Sequence, residues 1–439
     1  MMQFDFWLDR AARQRRERAN RYFSRHGLDL IKGNDPALAS PVPDDLGIIV
    51  VIPALAEPEL AATLTSLQRC ELPDCTVEIL VLINHAESAD EKQRLVNRQT
   101  LQKGQNRGPQ RIQEHFVLCG DLPERHAGVG LARKLGLDAA LTRLLASRSG
   151  EGILLCLDAD CLVDRNYLCA VRQHFEADPD CQGASLYFEH SLDDAANREA
   201  IAGYELHLRY FVQGLRHAGM PHVFHTVGSC MAVRSDAYMD QGGMNRRQAG
   251  EDYYFVQKLA ETGSFSDLTD TAVQPSARRS WRVPFGTGRA MAAQDEGEWH
   301  TYAPEVFDDL AVWLARIPAY YDEDRGGLDK TLPASVQAFL AGAGWPERLA
   351  EIQAHTASRA AFQRRVLRWF NNFAAMKLIH QATAERYPKV PVGQAAAQLL
   401  QRLGVEMPAD MGSSPVETLL TVYRGLCRGG LLVKTVGRR

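Results

Sequence analysis

The chain has 439 residues, of which 45% are hydrophobic and 24% charged, an ordinary composition for a globular protein of roughly two or three domains. Its formal net charge of -4 argues against a general nucleic-acid binder, which carries a basic footprint. The nine cysteines form no C-x-x-C pair and no zinc-like spacing with histidine, which favours a reducing, cytoplasmic setting. The sequence shows no signal peptide and no apolar stretch of about 18 residues, so we expect any membrane-linked substrate to be reached from the membrane surface.

Residues 1–45 predict a basic helix followed by a linker. In residues 4–27 arginines are interleaved with aromatic and other apolar residues, and three prolines follow between Gly33 and Asp45. Such a helix can lie on an anionic membrane, or it can pack on the neighbouring domain through its aromatic side chains. The packed arrangement is the commoner one, and both interpretations stay open.

Residues 46–300 alternate apolar runs with amphipathic stretches, which is typical of an open sheet with helices on both faces. The β-branched run 48–52 indicates a strand buried on both sides, as in parallel sheets. The predicted strands are 47–53, 77–83, 115–119, 152–157, 183–188 and 226–233, and the predicted helices are 58–67, 128–146, 166–177, 198–217 and 253–262, with a surface helix and loop over 87–111. A basic, glycine-rich loop is predicted at 278–291, and residues 301–439 predict a mostly helical C-terminal region.

The ends of three predicted strands carry residues suited to ligand binding. Asp158 and Asp160 follow one strand directly, and side chains two residues apart in extended backbone point to the same side. Because Mg²⁺ is usually held by one or two carboxylates plus substrate phosphates, this pair predicts a metal site for a nucleoside diphosphate. The alternative is that both aspartates cap a turn and the next helix. Pro53 and Asn84 end two other strands, and one crevice beyond the carboxyl edge can collect all four residues.

Four short motifs follow one another along residues 46–290. They are Val50-Val51-Ile52-Pro53 with Glu57, Gly128-x-x-x-Ala132-Arg133-x-x-Gly136, Leu157-Asp158-Ala159-Asp160, and Gly242-Gly243 with Glu251-Asp252. In this order and spacing the chain resembles the family 2 nucleotide-sugar glycosyltransferases, which have the GT-A fold. The resemblance implies a GT-A domain over residues 46–300, with a Rossmann-like, mostly parallel sheet between two layers of helices.

The resemblance also implies a set of donor-binding residues. Pro53, Ala54 and Glu57 would line the base and ribose, Asn84 would stand where relatives carry an acidic residue that contacts the base, Arg133 would face the diphosphate, Asp158 would contact the ribose or the metal, and Gly228 and Ser229 would lie beneath the sugar. Some of these residues have a purely structural alternative. Glu57 can favour a helix start, Arg133 can be a solvated basic residue, and Gly228 can allow a bend in a strand.

The basic loop 278–289 offers further phosphate contacts. Guanidinium groups pair well with phosphate, so Arg282 and its neighbours could close over the diphosphate with Gly286 and Gly288 as hinges. An unstructured basic loop is the alternative. The loop partly resembles the Gln-x-x-Arg-Trp motif of processive polysaccharide synthases, but the spacing differs and flanking membrane spans are absent, which argues against a processive polymerase.

The family's chemistry needs a metal and a base. The resemblance implies that Asp160 and Asp158 hold Mn²⁺ or Mg²⁺, which would act as a Lewis acid on the departing diphosphate. Asp252 matches the family's base position, and Glu251 would orient the acceptor or the base. An inverting displacement requires the base on the opposite face of the sugar from the leaving group. The alternative for Glu251 and Asp252 is favourable negative charge at a helix N-terminus.

These expectations predict an inverting, metal-dependent glycosyltransferase that moves one sugar from a nucleoside-diphosphate sugar, with a UDP-sugar favoured, to an acceptor hydroxyl. A lipid-linked or cell-envelope glycan at the cytoplasmic membrane face would suit the basic N-terminal helix and the basic tail from Tyr423. A nucleotidyltransferase of the same fold is disfavoured, because residues 53–58 contain neither glycine nor a basic residue. A non-catalytic protein that binds nucleotide or a partner is disfavoured by the intact Asp158, Asp160 and Asp252.

Overall fold

The structure is a computed structural model that describes residues 10–28, 38–248, 250–279, 286–293, 298–322, 329–406 and 414–429. The chain divides into two compact units. The first comprises Met1–Ser191 and Thr226–Ala292, and the second comprises Leu192–His225 and Ala293–Arg439. Over the described ranges, no helix has the length and apolar character needed to cross a membrane.

The first unit contains an eight-stranded sheet. Its strands are β1 (Leu46–Ala54), β2 (Thr76–Ala86), β3 (Gln113–Leu122), β4 (Ile153–Cys156), β5 (Leu162–Val163), β6 (Gly183–Phe188), β7 (Met231–Arg234) and β8 (Phe265–Gln274). They lie in the order β3-β2-β1-β4-β7-β6-β8-β5. The first four are mutually parallel, β7 runs antiparallel to both β4 and β6, β6 and β8 are parallel, and β5 pairs antiparallel with β8. The predicted α/β class with a mostly parallel sheet is confirmed.

Helices of the first unit pack on both faces of this sheet. The helices of this unit are α1 (Arg10–His26), α2 (Leu60–Gln68), α3 (Glu91–Gln105), α4 (Val129–Ala146), α5 (Tyr167–Ala177), α7 (Ser235–Asp240), α8 (Glu251–Ala260) and α9 (Thr287–Ala293). Helix α6 (Arg198–Ala218) belongs to the second unit. A Cβ at Gly136 of α4 would lie 3.6 Å from Leu80, whereas a Cβ at Gly104 of α3 would overlap Phe116, which pairs with Val81. Because successive side chains of a strand point to opposite faces, Leu80 and Val81 mark the two faces of the sheet.

The second unit is almost entirely helical. It contains α6, α10 (Glu305–Arg316), a short 3-10 helix (Ile317–Tyr321), α11 (Ala334–Gly342), α12 (Trp345–Ala354), α13 (Arg359–Trp369), α14 (Asn372–Glu385), α15 (Val392–Arg402) and α16 (Pro415–Cys427), together with the antiparallel pair β9 (His300–Thr301) and β10 (Val390–Pro391). These helices share one apolar core around the buried rings of Trp313, Trp345 and Phe362. The predicted C-terminal helical region is confirmed.

Helix α6 belongs to the helical unit although the sequence analysis placed its residues in the 46–300 domain. It packs against α10, α15 and α16. Gly214 allows this packing, because a Cβ there would come within 2.6 Å of the ring of Phe307 on α10. The buried face of α6 therefore belongs to the core of the second unit.

Two local predictions differ from the structure, and one strand, β8, was not predicted. The predicted strand 226–233 is shorter, because Gly228 and Ser229 lie in a turn closed by the bond from Cys230 N to Val227 O, and only β7 follows it. The polar sequence of β8 does not show the alternation expected of a strand, yet it pairs on both sides, with β6 and β5. Part of the predicted loop 278–291 is the helix α9, which begins after Gly286.

Candidate active site at the carboxyl edge of the sheet

Arg133, in the first turns of α4, joins residues from two other motifs. Its side chain is only 4% exposed, and its guanidinium donates hydrogen bonds to the carboxylates of Asp158 and Glu251. Its Nε is buried and has no hydrogen-bond partner among the described residues. Burial opposes the charge of Arg133, but the carboxylates of Asp158, Glu251 and Asp252 outweigh burial and hold its pKa well above the usual range.

Glycines allow the close packing around Arg133. A Cβ at Gly228 would overlap the guanidinium of Arg133 itself. A Cβ at Gly130 would overlap the carbonyl oxygen of Arg247 and would lie 3.0 Å from the Cβ of Glu251. Glycine is therefore required in the turn before β7 and at the start of α4 if the three segments are to meet.

Asp158 and Asp160 lie in the turn that follows β4. The backbone N–H of Cys161 donates to the carbonyl of Asp158, which closes the turn at 3.2 Å. Asp160 Oδ2 lies 3.6 Å from Nη2 of Arg278, and the side chain of Asp160 is 31% exposed. Burial, helped by the neighbouring charges of Asp158 and Glu57, raises the pKa of Asp160 to about 7, although the charge of Arg278 acts in the opposite direction.

Arg278 connects this turn to the loop that follows β1. Its Nη2 donates to Glu57 Oε2 at 2.9 Å, and its Nη1 donates to Glu59 Oε1 at 3.2 Å. Glu57 Oε1 in turn accepts the backbone N–H of Glu59 at 2.9 Å, next to the start of α2. Glu57 therefore contributes both to the start of the helix and to the charged cluster.

Glu251 and Asp252 begin α8 directly after Gly250, which has the left-handed φ of +71°. Glu251 is 1% exposed, and its carboxylate contacts Arg133. Asp252 Oδ1 accepts the N–H of Tyr253 at 2.7 Å. Burial raises the pKa of both carboxyl groups, although the charge of Arg133 acts in the opposite direction. The edge thus collects more carboxylates than cationic partners.

The other residues predicted to bind the sugar donor lie in different environments. Pro53 and Ala54 are buried at the end of β1, so their own side chains face the interior. Asn84 is 5% exposed in β2, and Ser229 is 1% exposed with its Oγ 3.5 Å from the Sγ of Cys230. The structure therefore brings Arg133, Asp158 and Glu251 into direct contact. Arg282 lies outside the described residues.

Asn97 of α3 is a buried residue that the sequence analysis did not single out. Its Nδ2 donates to the carbonyl of Asn84 at 2.9 Å, and its Oδ1 accepts the N–H of Ala56 at 2.9 Å. Ala56 has a positive φ of +46°, which is uncommon for a residue with a side chain. Asn97 thus ties the loop after β1 to the end of β2. The segment 87–111 is mostly polar, so its sequence does not distinguish this inward-facing amide from solvent-exposed ones.

The carboxylate oxygens available at this edge fit a hard divalent cation. Among the described residues, no group of three or more histidine, cysteine, aspartate and glutamate side chains is arranged to hold a metal. Mg²⁺ in enzymes of phosphate chemistry often uses only one or two carboxylates, and the substrate supplies the rest. Asp158 and Asp160 offer two carboxylates, and the pKa of Asp160 is raised first by burial and then by the neighbouring negative charges of Asp158 and Glu57, which a cation would offset.

The sequence of residues 49–242 matches the profile of Glycosyl transferase family 2. The match spans somewhat less than half of the chain. It contains Arg133, Asp158 and Gly228 and ends before Glu251 and Asp252. No curated protein sequence matches the chain.

Several solved structures are similar at low identity. The crystal structure of S. aureus TarS 1-349 has 13% identity and a TM-score of 0.36, with 84% of this chain and 94% of that chain covered. The same protein in complex with UDP-GlcNAc has 14% identity and a TM-score of 0.37, with 84% and 95% covered. The mannosyltransferase PcManGT from Pyrobaculum calidifontis, in complex with GDP-Man and Mn2+, has 14% identity and a TM-score of 0.35, with 95% and 98% covered. These similarities are too distant to assign a substrate.

Proposed function

We propose that this protein is an inverting, metal-dependent glycosyltransferase that moves a single sugar from a nucleoside-diphosphate sugar, with a UDP-sugar favoured, to an acceptor hydroxyl. The observation that carries the proposal is the contact of Arg133 with Asp158 and Glu251. These three residues come from three separate sequence motifs, and the family match covers two of them. Charged side chains gathered at the carboxyl edge of a parallel sheet are expected at a ligand site of an α/β protein.

The diphosphate end of the donor would lie against Asp158, Asp160 and Arg278. Asp160 and Asp158 would hold Mn²⁺ or Mg²⁺, which supplies Lewis-acid stabilisation of the negative charge on the departing diphosphate. Arg278 is 28% exposed beside Asp160, so its guanidinium can reach a phosphate. Arg133 is almost fully buried and therefore acts mainly by orienting Asp158.

Asp252 would act as the base. The acceptor oxygen forms a bond to the anomeric carbon of the sugar, the bond from that carbon to the diphosphate oxygen breaks, and the hydroxyl proton passes to the carboxylate of Asp252. Burial raises the pKa of this carboxyl group, which makes its ionised form a better proton acceptor. The carboxylate of Glu251 is bound to Arg133, so we assign Glu251 to positioning rather than to proton transfer.

The nucleotide would lie beside the loop after β1 and the end of β2. Pro53, Ala54 and Glu57 belong to this loop region, and Asn84 ends the neighbouring strand. Gly228 and Ser229 would provide the turn beneath the sugar.

The acceptor would be a lipid-linked or cell-envelope glycan at the cytoplasmic face of a membrane. Helix α1 carries the basic residues that motivated this part of the proposal, but several are paired within the first unit. Arg15 contacts Glu151, Arg18 contacts Asp236 and Asp240, and the buried Tyr22 donates to Asp138 at 2.6 Å. These contacts support the interpretation that α1 packs on the neighbouring domain. Basic residues other than these would therefore have to contact the membrane.

A donor screen tests the proposal. Nucleoside diphosphates with Mn²⁺ should raise the melting temperature, with a stabilisation of about 2.7 kcal/mol for a ligand at a hundredfold excess over its Kd. The Asp158→Ala, Asp160→Ala double variant should lose both this metal-dependent stabilisation and sugar transfer. Full transfer by the double variant would contradict the metal site, and diphosphate release from a nucleoside triphosphate with a sugar phosphate would instead identify a nucleotidyltransferase.

A further inference from the structure

The first unit contains a basic cavity of about 320 Å³ that the proposed reaction does not use. Its basic lining residues are Arg25 and His26 at the end of α1, Lys134 on α4, Arg246 in the loop before α8, and Lys258 on α8. Its other lining residues are neutral, so the described wall of the cavity contains no carboxylate. We call this cavity the basic cavity.

The charges around the basic cavity are not balanced. Lys134 is 3% exposed, and its Nζ donates to Asp138 Oδ2 and to the hydroxyl of Tyr22, both at 3.0 Å. No ion pair joins Arg25, Arg246 or Lys258 to another residue in the described part of the chain. Burial lowers the pKa of Lys134, and the charges of Arg246 and Lys258 lower it further although Asp138 acts in the opposite direction. An anion in the cavity would relieve this repulsion.

The packing of α1 forms one wall of the cavity. A Cβ at Gly243 would overlap the hydroxyl of Tyr22, and a Cβ at Gly242 would lie 3.3 Å from the ring of His26. Both glycines have positive φ, so a side chain at either position would strain the backbone as well. The glycine pair therefore allows α1 to lie close enough to contribute its last basic residues.

The cavity is also connected to the candidate active site. Asn245 lines it, and the Nδ2 of Asn245 donates to the carbonyl oxygen of Glu251 at 3.1 Å. Glu251 precedes the proposed base, Asp252. A ligand that contacts Asn245 or Arg246 would thus touch the loop that begins α8.

We propose that the basic cavity binds a phosphate group that is carried by a larger molecule. Arginine and lysine side chains pair strongly with phosphate, and three of those in the cavity wall lack a carboxylate partner among the described residues. The volume lies in the range of small-molecule sites and exceeds the size of a phosphate ion, so the carrier also has room. A soluble phosphorylated compound and the headgroup of an anionic phospholipid share this chemistry. The proposal does not depend on sugar transfer.

Charge reversals test the phosphate site. The probe is inorganic phosphate, added to the full chain against chloride at equal ionic strength, and the readouts are the melting temperature and ³¹P NMR line width. Lys258→Glu and Arg246→Glu should each raise the Kd for phosphate about tenfold or more, which corresponds to about 1.4 kcal/mol. Both side chains are exposed, so the variants should fold. Lys103→Glu, an exposed position on α3 outside the cavity, makes the same change in net charge and should leave the Kd unchanged.

Two further measurements separate the possible origins of phosphate binding. Arg278→Gln should leave the Kd unchanged, because phosphate held at the candidate active site would lose affinity in this variant whereas phosphate in the basic cavity would not. The second measurement is co-sedimentation with phosphatidylglycerol vesicles, compared with phosphatidylcholine vesicles. Vesicle binding that is abolished in Lys258→Glu identifies a lipid headgroup as the ligand. A wild type that binds phosphate but does not bind vesicles identifies a soluble ligand. The absence of saturable phosphate binding, or equal losses in Lys103→Glu and Lys258→Glu, would overturn the proposal.

Discussion

Helix α4 carries a buried arginine near each of its ends, and the two arginines have different surroundings. Arg143, in the last turn, forms two hydrogen bonds of 2.6 Å to the carboxylate of Glu78, and its Nη1 donates to the carbonyls of Leu38 and Ser40. Burial opposes ionisation of Glu78, but Arg143 and His115 outweigh it and lower the pKa of Glu78. At this end of the helix, Arg143 and Glu78 form an ion pair in which the charges compensate each other.

At the other end of α4, Arg133 is shared between two carboxylates, and Asp252 lies close enough to add its charge. The pKa values of Glu251 and Asp252 are raised rather than lowered. The direction of the pKa shift therefore separates two kinds of buried charge. A carboxylate with a lowered pKa is already compensated by the fold, whereas a crowded one with a raised pKa is a candidate for chemistry or for a bound cation.

The largest expected effect concerns Asp252, one of the carboxylates around Arg133. Asp252→Asn should lower sugar transfer about 10²- to 10⁴-fold, the usual contribution of a general base. The same variant should be more stable than the wild type at neutral pH, because the raised pKa of Asp252 means that the folded state disfavours its ionised form. This gain should shrink as the pH falls through the folded-state pKa and vanish below the unfolded-state pKa, where both states are protonated.

Transfer rates and urea unfolding at several pH values check this prediction. Asp270→Asn is the matched control, because Asp270 is exposed and its backbone carbonyl, rather than its side chain, accepts the hydrogen bond from Asn166. The control should change neither rate nor stability appreciably. Transfer by Asp252→Asn within tenfold of the wild type would contradict the assignment of the base.

The next effect contrasts the two arginines directly. Lysine cannot reproduce the planar fork of arginine, so Arg133→Lys should lower kcat/KM about ten- to hundredfold by releasing Asp158 or Glu251. Arg143→Lys should instead lower the free energy of unfolding by about 1.5–3 kcal/mol, the worth of hydrogen bonds to a charged group, and leave the turnover of the folded protein unchanged. Kinetics and denaturant titration of both variants test the contrast, which fails if both lose the same turnover.

A smaller effect is expected from the glycine that packs on Arg133. Gly228→Ala would place a Cβ where the guanidinium lies, and overpacking of this kind costs about 1–3 kcal/mol. If the guanidinium moves, transfer should fall about tenfold. Gly108→Ala is the control, because a Cβ there would meet no atom of the described residues within 4 Å. Equal transfer by the two alanine variants would show that the position of Arg133 does not matter.

The smallest effect concerns the loop after β1. Asn97→Ala removes the bonds to Ala56 and Asn84, so the donor KM should rise about three- to tenfold while kcat changes less. Thr100→Ala on the same helix is the control, because the hydroxyl of Thr100 donates to the carbonyl of Val96 within its own helix. Steady-state kinetics over donor concentration measure the difference. A fall in kcat with an unchanged KM would rule out the positioning role of Asn97.

Local sequence pattern was sufficient to predict most of the sheet. The β-branched run 48–52 predicted the core of β1, and the strand 183–188 has the predicted bounds. Helix α6 was predicted over 198–217 and ends one residue later. Strand β8 was not predicted, since its polar residues become a strand only through pairing with β6 and β5. Pairing of this kind depends on strands distant in sequence.

The sequence predicted which residues belong to the candidate site, but it did not predict which of them contact one another. Asp158 and Asp160 could be recognised from their position after an apolar strand, and Arg133 from its motif. That Arg133 and Glu251 share a hydrogen bond across 118 positions depends on how α4 and α8 pack, which periodicity does not report. Asn97 was missed for the same reason, because its burial is decided by the fold and not by its polar neighbours in sequence.

The sequence by itself thus determined the α/β class, the helical C-terminal region and the residues suited to phosphate and proton chemistry, because hydrophobic periodicity and residue chemistry are local properties. Only the tertiary structure decided that α6 joins the helical unit, that Arg133 is shared while Arg143 is paired, and that α1 completes a basic cavity beside Gly242 and Gly243. These outcomes depend on which surfaces pack together, and close packing brings into contact side chains that lie far apart in the chain.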